Sequence, residues 1–360
     1  MVSKLPKRGV KVALFWEKYR DNTVKCNLCH RRCIILENRY GACGVRKNVD
    51  GTLYTLVYGM LTAANVDPIE KKPLMHFEPG SSVFSISTVG CNFFCKFCLN
   101  WNISQLRRDE IYGEQMTPEE VVNHAKRLGA DGISYTYNEP TIFYEFMYDT
   151  AKLAKSNNLF NTMVTNGYMT PEAIDYIGKY IDAATVDFKG GGNKDFYRKF
   201  MGVPNPEPIF ESILAMKDNG WWIEITNLVV PIYGDKGEDI RRIAKWIIEN
   251  LGPETPFHLL RFHPEYMMLD VPPTPISTLE KLTSIAEEEG LKHVYIGNVP
   301  GHPKEHTYCP QCGSKVIERE GFFIRSWKLT KDNRCPNCGY KLNIRGKYHA
   351  KPFRWFTIFY

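Results

Sequence analysis

From about residue 83 to residue 300 the chain alternates between short β-rich apolar runs and longer runs with a helical apolar stripe. The short runs are Val83–Thr88, Gly132–Tyr137, Asn161–Thr165, Ala184–Phe188, Ile223–Val230, His258–Phe262 and His293–Ile296. Between them, Val121, Val122, Ala125 and Leu128 recur at three- and four-residue steps, as do Ile240, Ile243, Ala244, Ile247 and Ile248. Ile276, Leu279, Leu282 and Ile285 repeat the spacing. Such a stripe lies along one face of an α-helix. Thr117-Pro118-Glu119-Glu120 supplies a helix start, with Thr as N-cap, Pro at the first position and Glu at the third. Strand–helix alternation builds right-handed βαβ units around a parallel sheet. Six or seven units fall short of a closed eight-fold barrel, so the pattern predicts an α/β fold, a partial (β/α)6-type TIM-like barrel.

The flanks read differently. Residues 52–80 predict a short strand, Thr52–Tyr58, and then a polar, Pro-rich connector containing Asp67-Pro68-Ile69-Glu70-Lys71-Lys72-Pro73. Its Lys71, Lys72 and His76 are candidates for bordering a site. We expect three units: residues 1–80 as a four-cysteine lobe with its connector, 81–303 as the barrel, and 304–360 as a zinc-ribbon-like domain. In parallel barrels the site lies at the C-terminal ends of the strands. Here those ends carry Thr136-Tyr137-Asn138-Glu139-Pro140, Thr165-Asn166-Gly167, Asp187-Phe188-Lys189-Gly190, Arg261-Phe262-His263-Pro264 and Gly297-Asn298-Val299-Pro300. A core strand has no need of such groups, and together they predict one polar mouth.

The first strand runs into Cys91, Cys95 and Cys98, spaced C-x3-C-x2-C. Three close thiolates suit an iron–sulfur cluster, which ordinarily takes four cysteines. The next cysteine is Cys309, so one iron would stay open for a substrate or cofactor. Phe93, Phe94, Phe97 and Trp101 are expected around the thiolates, limiting water and tuning the potential. The other eight cysteines fall in two groups. Cys26, Cys29, Cys33 and Cys43 predict a four-cysteine zinc site, with an auxiliary iron–sulfur cluster as the alternative. Cys26-x-x-Cys29-His30 also matches a haem attachment pattern, which leaves Cys33 and Cys43 unexplained. Cys309-Pro-Gln-Cys312 and Cys335-Pro-Asn-Cys338 frame a hairpin-like stretch, Lys315–Lys328, as in a zinc ribbon. A rubredoxin-like iron site is the alternative there.

Composition adds limits rather than a function. The 360 residues carry 46 basic and 40 acidic side chains, a net +6 that permits contact with nucleic acid but does not indicate it. No run of about 18 apolar residues predicts a membrane span, and the basic N-terminus lacks the apolar core of a signal peptide. The expected compartment is the cytoplasm, where clustered cysteines mean metal or redox chemistry rather than disulfides. The tail from Tyr340 to Tyr360 is basic and aromatic, and is expected to pack on the barrel.

The cysteine loop resembles the signature of the radical S-adenosylmethionine (SAM) superfamily. With Cys26–Arg46, Asp67–Pro73, Tyr137–Pro140, Thr165–Gly167, Asp187–Gly190, Arg261–Pro264 and Gly297–Pro300, the chain resembles the AmmeMemoRadiSam group. These are relatives of the pyruvate formate-lyase activating enzyme. The resemblance implies that Cys91, Cys95 and Cys98 hold a [4Fe-4S] cluster whose open iron chelates SAM. One electron then yields methionine and a 5′-deoxyadenosyl radical. It implies that Phe97 borders adenine, that Asn138 and Glu139 sit at the SAM amino group, and that Thr165 and Asn166 contact ribose or methionine. Lys189 would meet the SAM carboxylate, and Asp187 would orient Lys189 or bind a monovalent cation. Asn298 and Val299 would meet adenine, and Arg261 and His263 the substrate. Leu99 departs from the pattern, where relatives often carry Gln. An external electron donor such as a ferredoxin or flavodoxin is implied, with an unidentified substrate that could be a protein. The alternatives are an activase that installs a glycyl radical on a partner, and a non-catalytic metal-bearing module that binds nucleic acid.

Overall fold

A computed structural model describes residues 5–350 and 356–359. Nine strands form its central sheet: β1 (Ala63–Pro68), β2 (Ser82–Ser87), β3 (Gly132–Tyr135), β4 (Phe160–Thr165), β5 (Ala183–Lys189), β6 (Trp222–Val229), β7 (Phe257–Arg261), β8 (Val294–Gly297) and β9 (Phe356–Phe359). Their order is β8-β7-β6-β5-β4-β3-β2-β1-β9. Every neighbour pair from β2 to β8 is parallel. The fold is therefore α/β with a mostly parallel sheet. The helices are α1 (Pro118–Arg127), α2 (Tyr144–Ser156), α3 (Pro171–Ile177), α4 (Lys194–Met201), α5 (Pro208–Asp218), α6 (Gly237–Asn250) and α7 (Ile276–Glu288). The helix start expected at Thr117 forms a reciprocal cap: Glu120 N donates to Thr117 Oγ1 at 3.2 Å, and Thr117 N to Glu120 Oε2 at 2.7 Å.

The apolar stripes face the sheet. Val121, Val122 and Ala125 of α1 are buried, as are Ile240, Ile243, Ala244 and Ile247 of α6 and Leu279 and Leu282 of α7. Ile276, at the start of α7, is 40% exposed and lies off that face.

Two edges differ from the sequence expectation. The connector is not all loop: β1 pairs antiparallel with β2, and β9 pairs antiparallel with β1. The expected boundary between residues 80 and 81 thus cuts a hydrogen-bonded strand pair, and the last described strand belongs to the main sheet rather than to the C-terminal unit. The polar Asn65 and Asp67 hide β1 in the sequence, yet both are buried. In the tail, Tyr348 stacks on Trp327 at 4.8 Å and His349 meets Glu78 at 2.7 Å. Lys351, Arg354 and Trp355 lie outside the described residues.

The N-terminal lobe has two small antiparallel sheets: Trp16–Arg20, Thr23–Cys26 and Ile34–Ile35 form one, and Lys11–Val12, Thr52–Thr55 and Arg46–Val49 the other. A buried ion pair, Arg46 with Glu145, fixes the lobe to α2. Glu145 Oε1 also accepts from Leu14 N at 2.7 Å, and Arg46 Nη1 donates to Leu14 O at 2.9 Å. Arg46→Met leaves the Glu145 carboxylate buried without its cation, which costs about 3–5 kcal/mol. Arg46 Nε and Glu145 Oε2 already lack partners. The double change Arg46→Met with Glu145→Leu should therefore recover most of the loss, read from urea unfolding midpoints.

At the other end, Thr307–Tyr308, Lys315–Glu320 and Phe323–Trp327 form an antiparallel sheet whose longer strands make the expected hairpin. Among the described residues no helix is long and apolar enough to cross a membrane.

Candidate active site

The loop after β2 carries the three cysteines, and local chemistry fixes its path. Gly90 adopts φ +93°, and a Cβ there would come within 2.7 Å of Val45 and 3.0 Å of the Cys43 carbonyl. Only glycine tolerates that conformation and that approach. Asn138 Nδ2 donates to Gly90 O at 2.9 Å, tying the loop to the end of β3. Phe94 N and Lys96 N donate to Met201 O and Phe200 O, both at 2.9 Å, which braces the loop on the end of α4. Ser104 Oγ lies 3.0 Å from Cys98 Sγ, and Phe93 N donates to Cys91 Sγ at 3.4 Å.

These thiols open on a cavity of about 410 Å³ at the C-terminal ends of β2 to β5. Cys91, Cys95 and Cys98 line it together with Asn138, Glu139, Thr165, Asn166, Asp187, Lys189 and Asn298. Burial pushes the Cys95 thiol up to about 12, and burial with the nearby Glu139 carboxylate raises Cys91 well above the usual thiol range. Both therefore favour the neutral thiol until a cation or cluster offsets that cost.

Glu139 is buried and held by donors on three sides. Oε1 accepts from Thr141 N (3.1 Å), Thr141 Oγ1 (2.6 Å) and Thr165 Oγ1 (2.8 Å), and Oε2 accepts from Asn166 N (2.7 Å). A carboxylate has about four acceptor sites, and with only one bond Oε2 keeps room for a further donor. Burial raises the Glu139 pKa against those hydrogen bonds, so an added cation would be favoured there. Asn166 Nδ2 donates to Asn92 Oδ1 at 2.7 Å, joining the ends of β4 and the cysteine loop. Opposite, Lys189 Nζ lies 3.1 Å from Asp187 Oδ2, and Thr226 Oγ1 donates to Asp187 Oδ1. Burial opposes the Lys189 charge, but Asp187 and the Cys95 sulfur outweigh it, and its pKa is raised. The cavity thus presents a fixed carboxylate, a fixed ammonium and three thiols on one concave surface.

Other expected residues stand elsewhere. Phe97 is buried below the loop against Phe196 (5.7 Å) and Phe262 (6.4 Å), and does not line the cavity. Of the four expected aromatics only Phe93 does; Phe94 and Trp101 are exposed, with Trp101 stacked on Tyr266 at 5.2 Å. Val299 is half-buried against the core and absent from the lining. Arg261 turns its Nε to Thr274 O at 2.9 Å, and His263 is exposed, with Nδ1 2.9 Å from Pro264 O. Neither lines the cavity. His76 is buried against Tyr295 and Asn343, at distances of 2.6 and 2.8 Å.

Lys71 and Lys72 do line it, next to Tyr137 and Asn100. Asp67 pairs with Lys71 at 2.8 Å and with Lys72 at 2.6 Å, and accepts from the Tyr137 hydroxyl. Lys72 Nζ sits 4.4 Å from the Tyr137 ring centroid. Burial pulls Lys72 down to about 8 although Asp67 acts in the other direction. Asn100, Ser104 and Thr136 also line the cavity. Thr136 belongs to the strand end expected at the mouth, whereas Asn100 and Ser104 carry no such signal, because small polar residues beside a motif are common.

The four C-terminal thiols form a separate centre. Cys309, Cys312, Cys335 and Cys338 have Sγ atoms all within 4.8 Å of one another, with Cys309–Cys338 at 3.5 Å and Cys312–Cys335 at 3.7 Å. Zinc–sulfur bonds of about 2.3 Å at a tetrahedral ion place sulfurs about 3.8 Å apart. The set could therefore hold one metal ion. In the N-terminal lobe, Cys26 and Cys43 are buried and Cys29 and Cys33 half-buried.

A family model described as the radical SAM superfamily matches residues 85–247. The chain is 49% identical over 333 residues to the uncharacterized protein MJ0808 of Methanocaldococcus jannaschii, covering 92% of this chain and 98% of that one. It is 26% identical over 183 residues to the pyruvate formate-lyase-activating enzyme of Clostridium pasteurianum, covering 48% of this chain and 72% of that one. A solved domain of pyruvate-formate lyase-activating enzyme from Bacteroides vulgatus superposes with a TM-score of 0.41 at 19% identity, covering 47% of this chain and all of that domain.

Proposed function

The chain belongs to the radical SAM superfamily and is similar to glycyl-radical activating enzymes, and from that premise we propose a specific division of labour within its cavity. Cys91, Cys95 and Cys98 hold a [4Fe-4S] cluster with one open iron. When bound, this group supplies the electron that cleaves SAM to methionine and a 5′-deoxyadenosyl radical, which takes a hydrogen atom from an unidentified substrate.

The protein's part is to bind, orient and exclude water. Glu139 Oε2 accepts the SAM ammonium, a charge-assisted bond strengthened by burial. Lys189, steadied by Asp187, meets the SAM carboxylate. Asn138 and Asn166 hold the loop and strand ends in register, while Thr165 keeps Glu139 in place. Asn298, which also lines the cavity, would meet the nucleoside end. The observation that carries the reading is the meeting of three thiols, the Glu139 carboxylate and the Lys189–Asp187 pair around a single cavity. A [4Fe-4S] cubane on three thiolates would leave one iron for the amino nitrogen and carboxylate of SAM, and this donor set fits it. An external one-electron donor, a ferredoxin or flavodoxin, and the reducing cytoplasm complete the setting.

Anaerobic reconstitution with iron and sulfide, then SAM and dithionite, tests the reading. We expect 5′-deoxyadenosine and methionine in equal amounts. A reconstituted, cluster-bearing protein that formed neither would overturn it. The non-catalytic module predicts that null result.

The similarity to named activating enzymes supports a narrower second reading, in which the hydrogen comes from a backbone glycine of a partner enzyme. It predicts a glycyl radical signal on that partner in electron paramagnetic resonance (EPR). The C-terminal unit is proposed as a zinc ribbon. Cys335→Ser should leave less than one zinc per chain by metal analysis and lower the melting temperature, with the central iron unchanged.

A further inference from the structure

We propose that Cys26, Cys29, Cys33 and Cys43 hold a second iron–sulfur cluster, which passes single electrons from a docked acidic carrier protein to the central cluster. The proposal rests on the reading above for its acceptor, and on three observations of its own.

The first is spacing. Among the described residues, the C-terminal thiols form the one group of three or more such ligands whose atoms lie within 4.8 Å of one another. Among the N-terminal four, no three sulfurs come within that distance of one another. A single tetrahedral zinc draws its sulfurs closer than that limit, whereas a multi-iron cluster holds them at the corners of a larger body. The sequence leaves zinc and an auxiliary iron–sulfur cluster open for these four thiols, and the wider spacing favours the second.

The second is contact. One guanidinium joins the two cysteine sets: Arg107 Nη1 donates to Cys43 O at 3.1 Å and to Cys91 O at 2.5 Å. Its Nη2 donates to Phe93 O at 3.0 Å. The bare Cα of Gly90 lets the Cys43 carbonyl close on the central loop with no side chain between them. A short bonded path thus runs from a ligand of one cluster to a ligand of the other.

The third is charge. Residues 1–50 hold twelve Lys and Arg against four Asp and Glu, while the rest of the chain holds 34 against 36. The lobe alone accounts for the positive balance. Beside Cys33, Ile34 is 53% and Leu36 56% exposed, and Lys18, Arg20 and Arg39 are exposed on the same lobe. Exposed apolar side chains on a lobe with this excess of basic residues suit a negatively charged carrier, whose encounter the charge would steer. The balance is simple: the reduced carrier loses one electron, the lobe cluster gains and passes it on, and no bond forms or breaks in the lobe.

The test uses the full-length chain and two kinds of variant. With Cys91, Cys95 and Cys98 all changed to Ala, the reconstituted protein should keep about four irons and show an EPR signal after reduction. Zinc in place of iron, or no metal in the lobe, overturns the proposal. Lys18→Glu with Arg39→Glu leaves every cysteine in place. It should slow 5′-deoxyadenosine formation about tenfold with reduced flavodoxin as donor, and leave the dithionite-driven rate unchanged. An equal rate with flavodoxin before and after charge reversal overturns the docking. Iron in the triple variant without 5′-deoxyadenosine in the unaltered protein would instead count against the central reading alone.

Discussion

Cys95→Ala is expected to abolish 5′-deoxyadenosine formation, leaving only the uncatalysed background. Cys95 is the middle one of the three proposed ligands, is buried, and lies close enough to raise the Lys189 pKa. The next cysteine after these three in the chain is Cys309, in the C-terminal centre. A cluster with two protein ligands would not persist through turnover. The measurement is chromatographic product analysis after anaerobic reconstitution, alongside iron analysis. Product formed at the unaltered rate would show that these thiols are not the ligands.

Glu139→Gln is expected to weaken SAM binding about 10- to 100-fold while the iron content stays the same. Gln keeps the shape and one carbonyl acceptor for Thr141 and Thr165, but removes the charge facing the ammonium. A hydrogen bond to a charged group contributes about 1.5–3 kcal/mol, and each 1.4 kcal/mol is tenfold in affinity. Titration calorimetry on the reconstituted protein reads the change. An unaltered affinity would mean that the ammonium sits elsewhere. Lys189→Met should act in the same direction through the carboxylate, and the Asp187 carboxylate left behind would repel it further.

The seven parallel strands were legible because each is a short run buried between helices, and such runs carry a dense β-rich signal. The structure moves their ends by no more than two residues. Strand β1 was not legible. Its Asn65 and Asp67 read as solvent-facing, and only the fold brings Lys72 and Tyr137 to satisfy Asp67. The same contact explains why Lys71 and Lys72 reach the cavity from a stretch that looks like a linker. Strand β9 depends on pairing across almost 300 residues of chain, which no local pattern encodes.

At the site, motif spacing and strand ends brought together Glu139, Lys189, Asp187 and the cysteines, because a parallel sheet collects its C-terminal ends at one mouth. Direction within a loop is another matter. Phe97 turns into the core with Phe196 and Phe262, and Arg261 turns toward Thr274. Side-chain direction in an irregular segment follows from packing that the sequence does not spell out.

The central claim is that an iron of the Cys91–Cys95–Cys98 cluster stays open to SAM. EPR of the reduced, reconstituted protein, recorded before and after addition of SAM, tests it most directly. The account predicts that SAM shifts the signal of the central cluster in the unaltered chain, and that the cysteine triple variant shows no such shift. A central-cluster signal unchanged by saturating SAM would contradict it.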